Sequence, residues 1–139
     1  MTENKFSTIE RILAGAGVVT TMTGAFIVGR FNPTTAGFFP VCPLYSVTGI
    51  LCPGCGLTRG FHAFFHGDML TALQFNALLP IYLFFFLYLF LVLIFICARG
   101  RGLNFPKFSS TVIWSFLAVA LAFTVCRNLS FYPFTLLAP

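Results

Sequence analysis

The residues in this chain that could do chemistry are concentrated between positions 42 and 66. Cys42, Cys52 and Cys55 fall in one short apolar stretch, and the last two form a Cys-Pro-Gly-Cys sequence. Two cysteines at this spacing serve as a redox pair, as metal ligands or as attachment points for c-type haem. Haem attachment needs a histidine directly after the second cysteine, and Gly56 stands there instead. A disulfide that fixes the turn, a metal site and a redox-active pair remain as alternatives.

A tight turn followed by a helix is expected around the second cysteine. The residues that mark the turn are Pro53, Gly54 and Gly56. The helix is expected to run from Cys55 or Gly56 to about His66, where Gly67 ends it and Asp68 caps the next helix. Helical spacing then places the reactive side chains on one face. These are Cys55, Arg59, His62 and His66, with Thr58 beside them.

A thiol or metal site can be assembled from these side chains. Thiolate sulfur and imidazole nitrogen are ligands that suit zinc or copper. The candidate site comprises Cys42, Cys52, Cys55, His62 and His66. Three sulfurs and one imidazole would give four ligands, and hydrogen-bonded packing is the other interpretation of the two histidines.

Arg59 is the charged residue that most needs an explanation, because a charge at membrane depth is costly without a partner or a role. Asp68 is the only acidic residue near it in the sequence. A clamp between Arg59 and Asp68 or backbone is therefore expected. Binding of an anion, such as a lipid phosphate or a carboxylate, is the alternative.

The composition predicts that these residues belong to an integral membrane protein. Only 8% of the 139 residues are charged and 58% are hydrophobic, whereas a soluble domain carries about 25% charged residues. The net charge of +5 is spread thinly along the chain, which excludes the dense basic face of a nucleic-acid-binding protein. We expect one membrane domain over residues 1–139, in contact with the lipid bilayer.

Three segments are long and apolar enough to cross a bilayer, at about residues 12–29, 78–98 and 109–126. The predicted fold class is an all-α integral membrane protein with three transmembrane helices. Lysine and arginine are more frequent on the side of the N-terminus and the 99–109 loop, with five residues against three on the other side. This bias predicts a cytoplasmic N-terminus.

The connector between the first two spans, residues 31–76, is too apolar for a loop in water, since Arg59 and Asp68 are its only charges. We therefore expect a re-entrant or interfacial helical hairpin shielded by protein. Stripes of small residues on the first and third spans could provide that shield. The stripes are Gly17, Thr21 and Ala25, and Thr111, Ser115, Ala118 and Ala122.

A longer pattern surrounds the cysteines, with a T-G-x-x-C-P-x-C-G-x-T-R sequence from Thr48 to Arg59. Its members are Cys42, Pro43, Thr48, Gly49, Cys52, Pro53, Gly54, Cys55, Gly56, Thr58, Arg59, Gly67, Asp68, Ala72, Leu73, Asn76, Arg127 and Asn128. The pattern resembles a bacterial family of small multi-pass membrane proteins of unknown function. The resemblance covers about residues 42–128, does not include His62 or His66 in its signature, and implies a topology and a motif rather than a reaction.

An enzyme is the less favoured interpretation, because the chain has no glycine-rich phosphate loop and no carboxylate pair for acid–base catalysis. The favoured hypothesis is an accessory or structural subunit of a larger complex in the bacterial cytoplasmic membrane. Its Cys-Pro-Gly-Cys motif would dock on a protein or lipid partner, or the chain would form a homo-oligomer. The alternative is a thiol-redox or metal-binding membrane protein, with zinc or copper as the metal.

Overall fold

A computed structural model describes residues 6–101 and 109–132 of the chain, and this part is all-helical. Its helices are α1 Thr8–Arg30, α2 Pro43–Thr48, α3 Leu57–Phe65, α4 Met69–Phe75, α5 Leu79–Arg99 and α6 Ser110–Arg127. Three of them, α1, α5 and α6, are long and apolar enough to cross a membrane, which confirms the predicted fold class. They lie within a few residues of the expected spans.

Short-range side-chain caps set where several helices begin. At α1, Ser7 and Glu10 form a capping box, in which each side chain accepts a hydrogen bond from the other residue's backbone N–H. The side chains of Asp68 and Ser109 accept from the N–H groups of Thr71 and Thr111 at the starts of α4 and α6. The caps expected at Asp68 and at Ser109 are therefore confirmed.

The described residues divide into two compact units. The first comprises the residues up to Ile27 and those from Ile81 to 101. Its core is formed by Ala14 of α1 with Val92 and Ile96 of α5. Arg11 donates hydrogen bonds to the carbonyl oxygens of Cys97 and Ala98, so its side chain satisfies acceptors that the end of α5 leaves without helical partners.

The second unit comprises Val28–Pro80 and the described residues from 109 onward. Here α3 and α4 form a helical hairpin, and Gly67, at φ +80°, makes the turn between them. Ala63, Ala72 and Leu79 form its buried core. The hairpin between the first two spans is thus observed, whereas its re-entrant or interfacial depth stays a prediction, as does the single domain over residues 1–139.

Close packing at Gly60 makes this hairpin sensitive to substitution. In Gly60→Ala the added methyl carbon would lie 2.7 Å from Leu79 Cδ1 and 3.1 Å from the Ala72 carbonyl oxygen. Overpacking of this kind costs about 1–3 kcal/mol, so we expect a lower thermal unfolding midpoint in detergent. Gly24→Ala is the control, because a methyl group there meets no atom within 4 Å. Equal midpoints for the two variants would contradict tight packing at Gly60.

Candidate functional site

The three connector cysteines come together in the second unit. Cys52 Sγ lies 3.3 Å from Cys42 Sγ and 3.2 Å from Cys55 Sγ, and all three sulfurs are within 4.8 Å of one another. A disulfide would place two sulfurs about 2.05 Å apart, and the three residues are free cysteines in this structure. The group could hold a metal ion.

The backbone between Leu51 and Gly56, which we call the cysteine loop, folds back on itself to bring the sulfurs together. The N–H of Cys55 donates to the Cys52 carbonyl oxygen at 3.1 Å, and the N–H of Cys52 approaches Cys55 Sγ at 3.3 Å. Gly56 then adopts φ +79° immediately before α3, a conformation that favours glycine. Cys55 therefore lies before α3 rather than on it.

Cys42 reaches the loop from the start of α2, a one-and-a-half-turn helix that ends at a tight bend. Pro43 occupies the first helical position, where a missing N–H costs nothing. Thr48 Oγ1 accepts a hydrogen bond from the N–H of Ile50, and Gly49 follows α2 at φ +72°. Thr48 and Gly49 thus shape the return of the chain from Cys42 to the cysteine loop.

A buried arginine holds the cysteine loop from the far end of the sequence. Arg127, the last residue of α6, is 1% exposed. Its Nη1 donates to the carbonyl oxygens of Cys52 and Cys55, each at 3.0 Å, and its Nη2 lies 3.5 Å from the Phe75 carbonyl oxygen. The guanidinium also lies 5.0 Å from the centre of the Phe123 ring. Burial of a charge is tolerated only with such compensation.

Asn76 holds the same loop from the end of α4 and is fully buried. Its Nδ2 donates to the carbonyl oxygens of Pro53 and Cys55, at 2.8 and 3.2 Å. Its Oδ1 accepts from the N–H of Leu78 at 2.9 Å. Both ends of the amide are therefore satisfied, as a buried polar side chain requires.

Asn128 completes the set of side chains that we call the loop clamp, which consists of Asn76, Arg127 and Asn128. Its Oδ1 accepts from the N–H of Leu51, and its Nδ2 donates to the Leu51 carbonyl oxygen, both at 2.9 Å. A second bond from Nδ2 reaches the Thr124 carbonyl oxygen of α6 at 2.7 Å. The amide pairs with both backbone groups of one residue, in the manner of a neighbouring strand.

The three thiols differ in acidity because their surroundings differ. The N–H of Tyr45, followed by the thiol of Cys52, lowers the pKa of Cys42 to about 7. Burial, followed by the hydrogen bond with Cys52, raises the pKa of Cys55 to about 12. Near neutral pH the Cys42 thiol is therefore partly ionised, whereas the Cys55 thiol keeps its proton.

Neither histidine joins the three sulfurs, so the expected four-ligand set of cysteines and a histidine is not assembled. Among the described residues, the metal-compatible group contains sulfur ligands alone. His62 Nδ1 bonds the carbonyl oxygen of Val28, and His66 Nδ1 bonds that of His62. The expectation of a shared helix face fails at Cys55, because Gly56 interrupts the helical path between Cys55 and α3.

The expected clamp between Arg59 and Asp68 is also not observed. Arg59 is exposed on α3, as is Thr58. Asp68 caps α4 instead, and hydrogen bonds from the side chain and then from the N–H of Thr71 lower the pKa of its carboxyl group. In the described stretches, the arginine with the structural role expected of Arg59 is Arg127. The sequence feature that could have indicated Arg127 is its position directly at the end of an apolar span, where a charge without a partner is costly.

Replacement of Arg127 tests the loop clamp. In Arg127→Lys the charge remains, but one ammonium group cannot reproduce the planar fork that bonds the loop carbonyls and stacks on Phe123. Unsatisfied buried acceptors cost about 1–3 kcal/mol, so we expect a lower unfolding midpoint and faster alkylation of Cys55.

The matched control is Arg99→Lys, because Arg99 also ends a helix and lies over the ring of the phenylalanine four residues earlier, at 5.3 Å. Arg99 is exposed, so its replacement should leave both measurements nearly unchanged. Indistinguishable results from the two variants would rule out the clamp.

Comparison with known proteins supports the resemblance for part of the chain. No curated protein and no solved structure matches the chain. Residues 42–96 match a family model described as a protein of unknown function (DUF2752). The matched stretch contains the three cysteines and Asn76, and it ends before Arg127 and Asn128. The segment that carries the cysteine loop is therefore similar to an uncharacterised domain family.

Proposed function

We propose that this chain is an accessory subunit of a larger membrane assembly and that its cysteine loop is a rigid docking element. The observation that supports this proposal is the loop clamp. Three side chains use their hydrogen bonds to hold the backbone carbonyl and N–H groups of one short loop, which fixes the shape that a partner would meet. Rigid loops of defined shape bind with little loss of conformational entropy.

The acidic residues favour a structural role over a catalytic one. In the described part of the chain, Glu10 and Asp68 both serve as helix caps, for α1 and α4. Both carboxylates therefore have a structural role at the start of a helix.

The face of α6 that carries small residues is a suitable surface for a partner helix. Its members, Thr111, Ser115, Ala118 and Ala122, are exposed. The stripe was expected to shield the connector, and it does not do so in the described residues. Small side chains let two membrane helices approach closely, so we propose that α6 of a second copy, or a helix of a partner subunit, packs there. Elsewhere the exposed apolar side chains of the long helices suggest contact with the bilayer.

The mass of the detergent-solubilised protein tests this arrangement. We expect the native chain to migrate above its monomer mass of 15.3 kDa. In Ala118→Leu/Ala122→Leu the added bulk keeps helices apart, so the mass measured by light scattering should fall to that of the monomer. Ala16→Leu, at an exposed alanine of α1 outside the stripes, should change nothing. A native chain that is monomeric in mild detergent would contradict the packing of α6 against a second copy.

We propose that the chain lies in the cytoplasmic membrane of a bacterium, with its N-terminus in the cytoplasm. The support is the excess of basic residues on that side, which includes Arg11, Arg99 and Arg101, and also Lys5 and Lys107 outside the described residues. The connector would then lie on the opposite side, where disulfides form readily. The redox state of the cysteines is therefore measured together with their metal content.

Metal binding by the cysteine cluster is the second candidate function, and the observation that favours it is the convergence of three sulfurs. Four-coordinate zinc with Zn–S bonds of about 2.3 Å separates its sulfurs by about 3.8 Å. The distances of 3.2 and 3.3 Å from Cys52 Sγ thus need a small opening. Three thiolates with no imidazole suit copper(I), or zinc with one further ligand.

Metal content and thiol titration of the reduced protein test the second candidate. We expect about one zinc or copper(I) ion per chain, and about a tenfold or greater loss of affinity in any one of Cys42→Ser, Cys52→Ser or Cys55→Ser. Cys97→Ser and Cys126→Ser are controls, because these cysteines lie outside the cluster. Affinity should rise with pH, since the protonated Cys55 thiol must release its proton. Absence of metal, or a disulfide that resists reduction, would exclude this function.

A further inference from the structure

We propose that His62 and His66 form a second metal site, separate from the cysteine loop, that binds one divalent transition-metal ion through two imidazole nitrogens. The rings lie one helical turn apart at the end of α3, with their centres 4.3 Å apart. His62 is half-buried and His66 is exposed. This proposal is independent of the docking and thiol functions, because it uses none of their side chains.

The hydrogen bonds of the two rings determine which nitrogen is available. His62 Nδ1 lies 2.7 Å from the Val28 carbonyl oxygen, and His66 Nδ1 lies 2.8 Å from the His62 carbonyl oxygen. A carbonyl oxygen can only accept a hydrogen bond, so each Nδ1 carries the proton. In a neutral imidazole the lone pair is then on Nε2. A histidine that donates from one nitrogen to a backbone carbonyl and binds a metal with the other is the usual arrangement at metal sites.

The positions of the two rings relative to helix ends also favour a cation. Val28 lies in the last turn of α1, whose final carbonyl groups lack helical partners. His62 and His66 lie in the last turn and at the C-terminal cap of α3. The carbonyl ends of two helices thus meet at the histidine pair, and the partial negative charge of these ends stabilises a bound positive ion.

The donor set selects the type of metal. Two neutral imidazoles are borderline ligands, and for such sites the affinity of first-row divalent ions is highest for copper(II). Because His66 is exposed, water can complete the coordination. The cysteine cluster, by contrast, offers sulfur ligands alone and favours copper(I) or zinc. The two sites should therefore be distinguishable by the ion and by its spectrum.

Electron paramagnetic resonance of bound copper(II) tests the site directly, because these are the only two histidines in the chain. The full chain is purified in detergent through a tag that contains no histidine, and its thiols are alkylated so that they cannot reduce the copper. We expect one tightly bound copper(II) with hyperfine couplings from two imidazole nitrogens.

The variants that test the two ligands are His62→Asn and His66→Asn. The asparagine amide can replace the Nδ1–H donor of histidine, but it has no group at the Nε2 position. Each single variant should bind copper(II) about tenfold more weakly or worse and show one nitrogen coupling, and the double variant should show none. The proposal would be overturned if the chain with both histidines showed coupling from fewer than two nitrogens. It would also be overturned if the double variant bound copper(II) as tightly as that chain.

A second measurement avoids alkylation. Zinc is titrated calorimetrically into the reduced chain and into Cys42→Ser/Cys52→Ser/Cys55→Ser, with circular dichroism to check that helicity is retained. The double asparagine substitution should remove one zinc equivalent in either background. An unchanged number of zinc equivalents would reject the histidine site, whatever the cysteine cluster binds.

Discussion

The buried guanidinium of Arg127 is the interaction on which the second unit depends. It bonds carbonyl oxygens from the cysteine loop and from the end of α4, and its partners are more than 50 residues away in the sequence. Burial of such a charge without partners costs several kcal/mol. A change in the loop conformation would therefore expose the arginine or leave it buried without its hydrogen-bond partners. The charge and the loop conformation are therefore stabilised together, and α6 becomes part of the site through its C-terminal end.

The division of roles within the clamp explains why the sulfurs remain available. Asn76 and Arg127 bond backbone carbonyl groups of the Cys-Pro-Gly-Cys turn, and Asn128 bonds both backbone groups of Leu51. In the hydrogen bonds described, none of these side chains uses a thiol. The backbone is thus held by amide and guanidinium groups, while the sulfurs interact with one another and with backbone N–H groups. A partner surface and a metal ion would both benefit from that arrangement, since neither has to order the loop.

Sequence reasoning predicted the long helices, the caps at Asp68 and Ser109, and the proximity of the cysteines, because each depends on residues close together in the chain. It selected Arg59 over Arg127, because both are arginines next to apolar sequence and only the fold decides which is buried. Arg59 is on an exposed face of a short helix, whereas Arg127 meets the cysteine loop through a contact across more than 70 residues. Such a contact leaves no periodicity or spacing by which the sequence alone could reveal it.

The separation of the histidines from the cysteines follows from the backbone at one residue. Only six residues lie between Cys55 and His62, and an uninterrupted helix would align them. Gly56, at φ +79°, instead turns the chain before α3 starts, so the sulfurs meet at the cysteine loop while His62 bonds the end of α1. A side chain at position 56 would oppose this conformation. The glycine therefore divides one expected set of mixed ligands into two sets of different chemistry, with sulfur ligands at the cysteine loop and imidazoles at the end of α3.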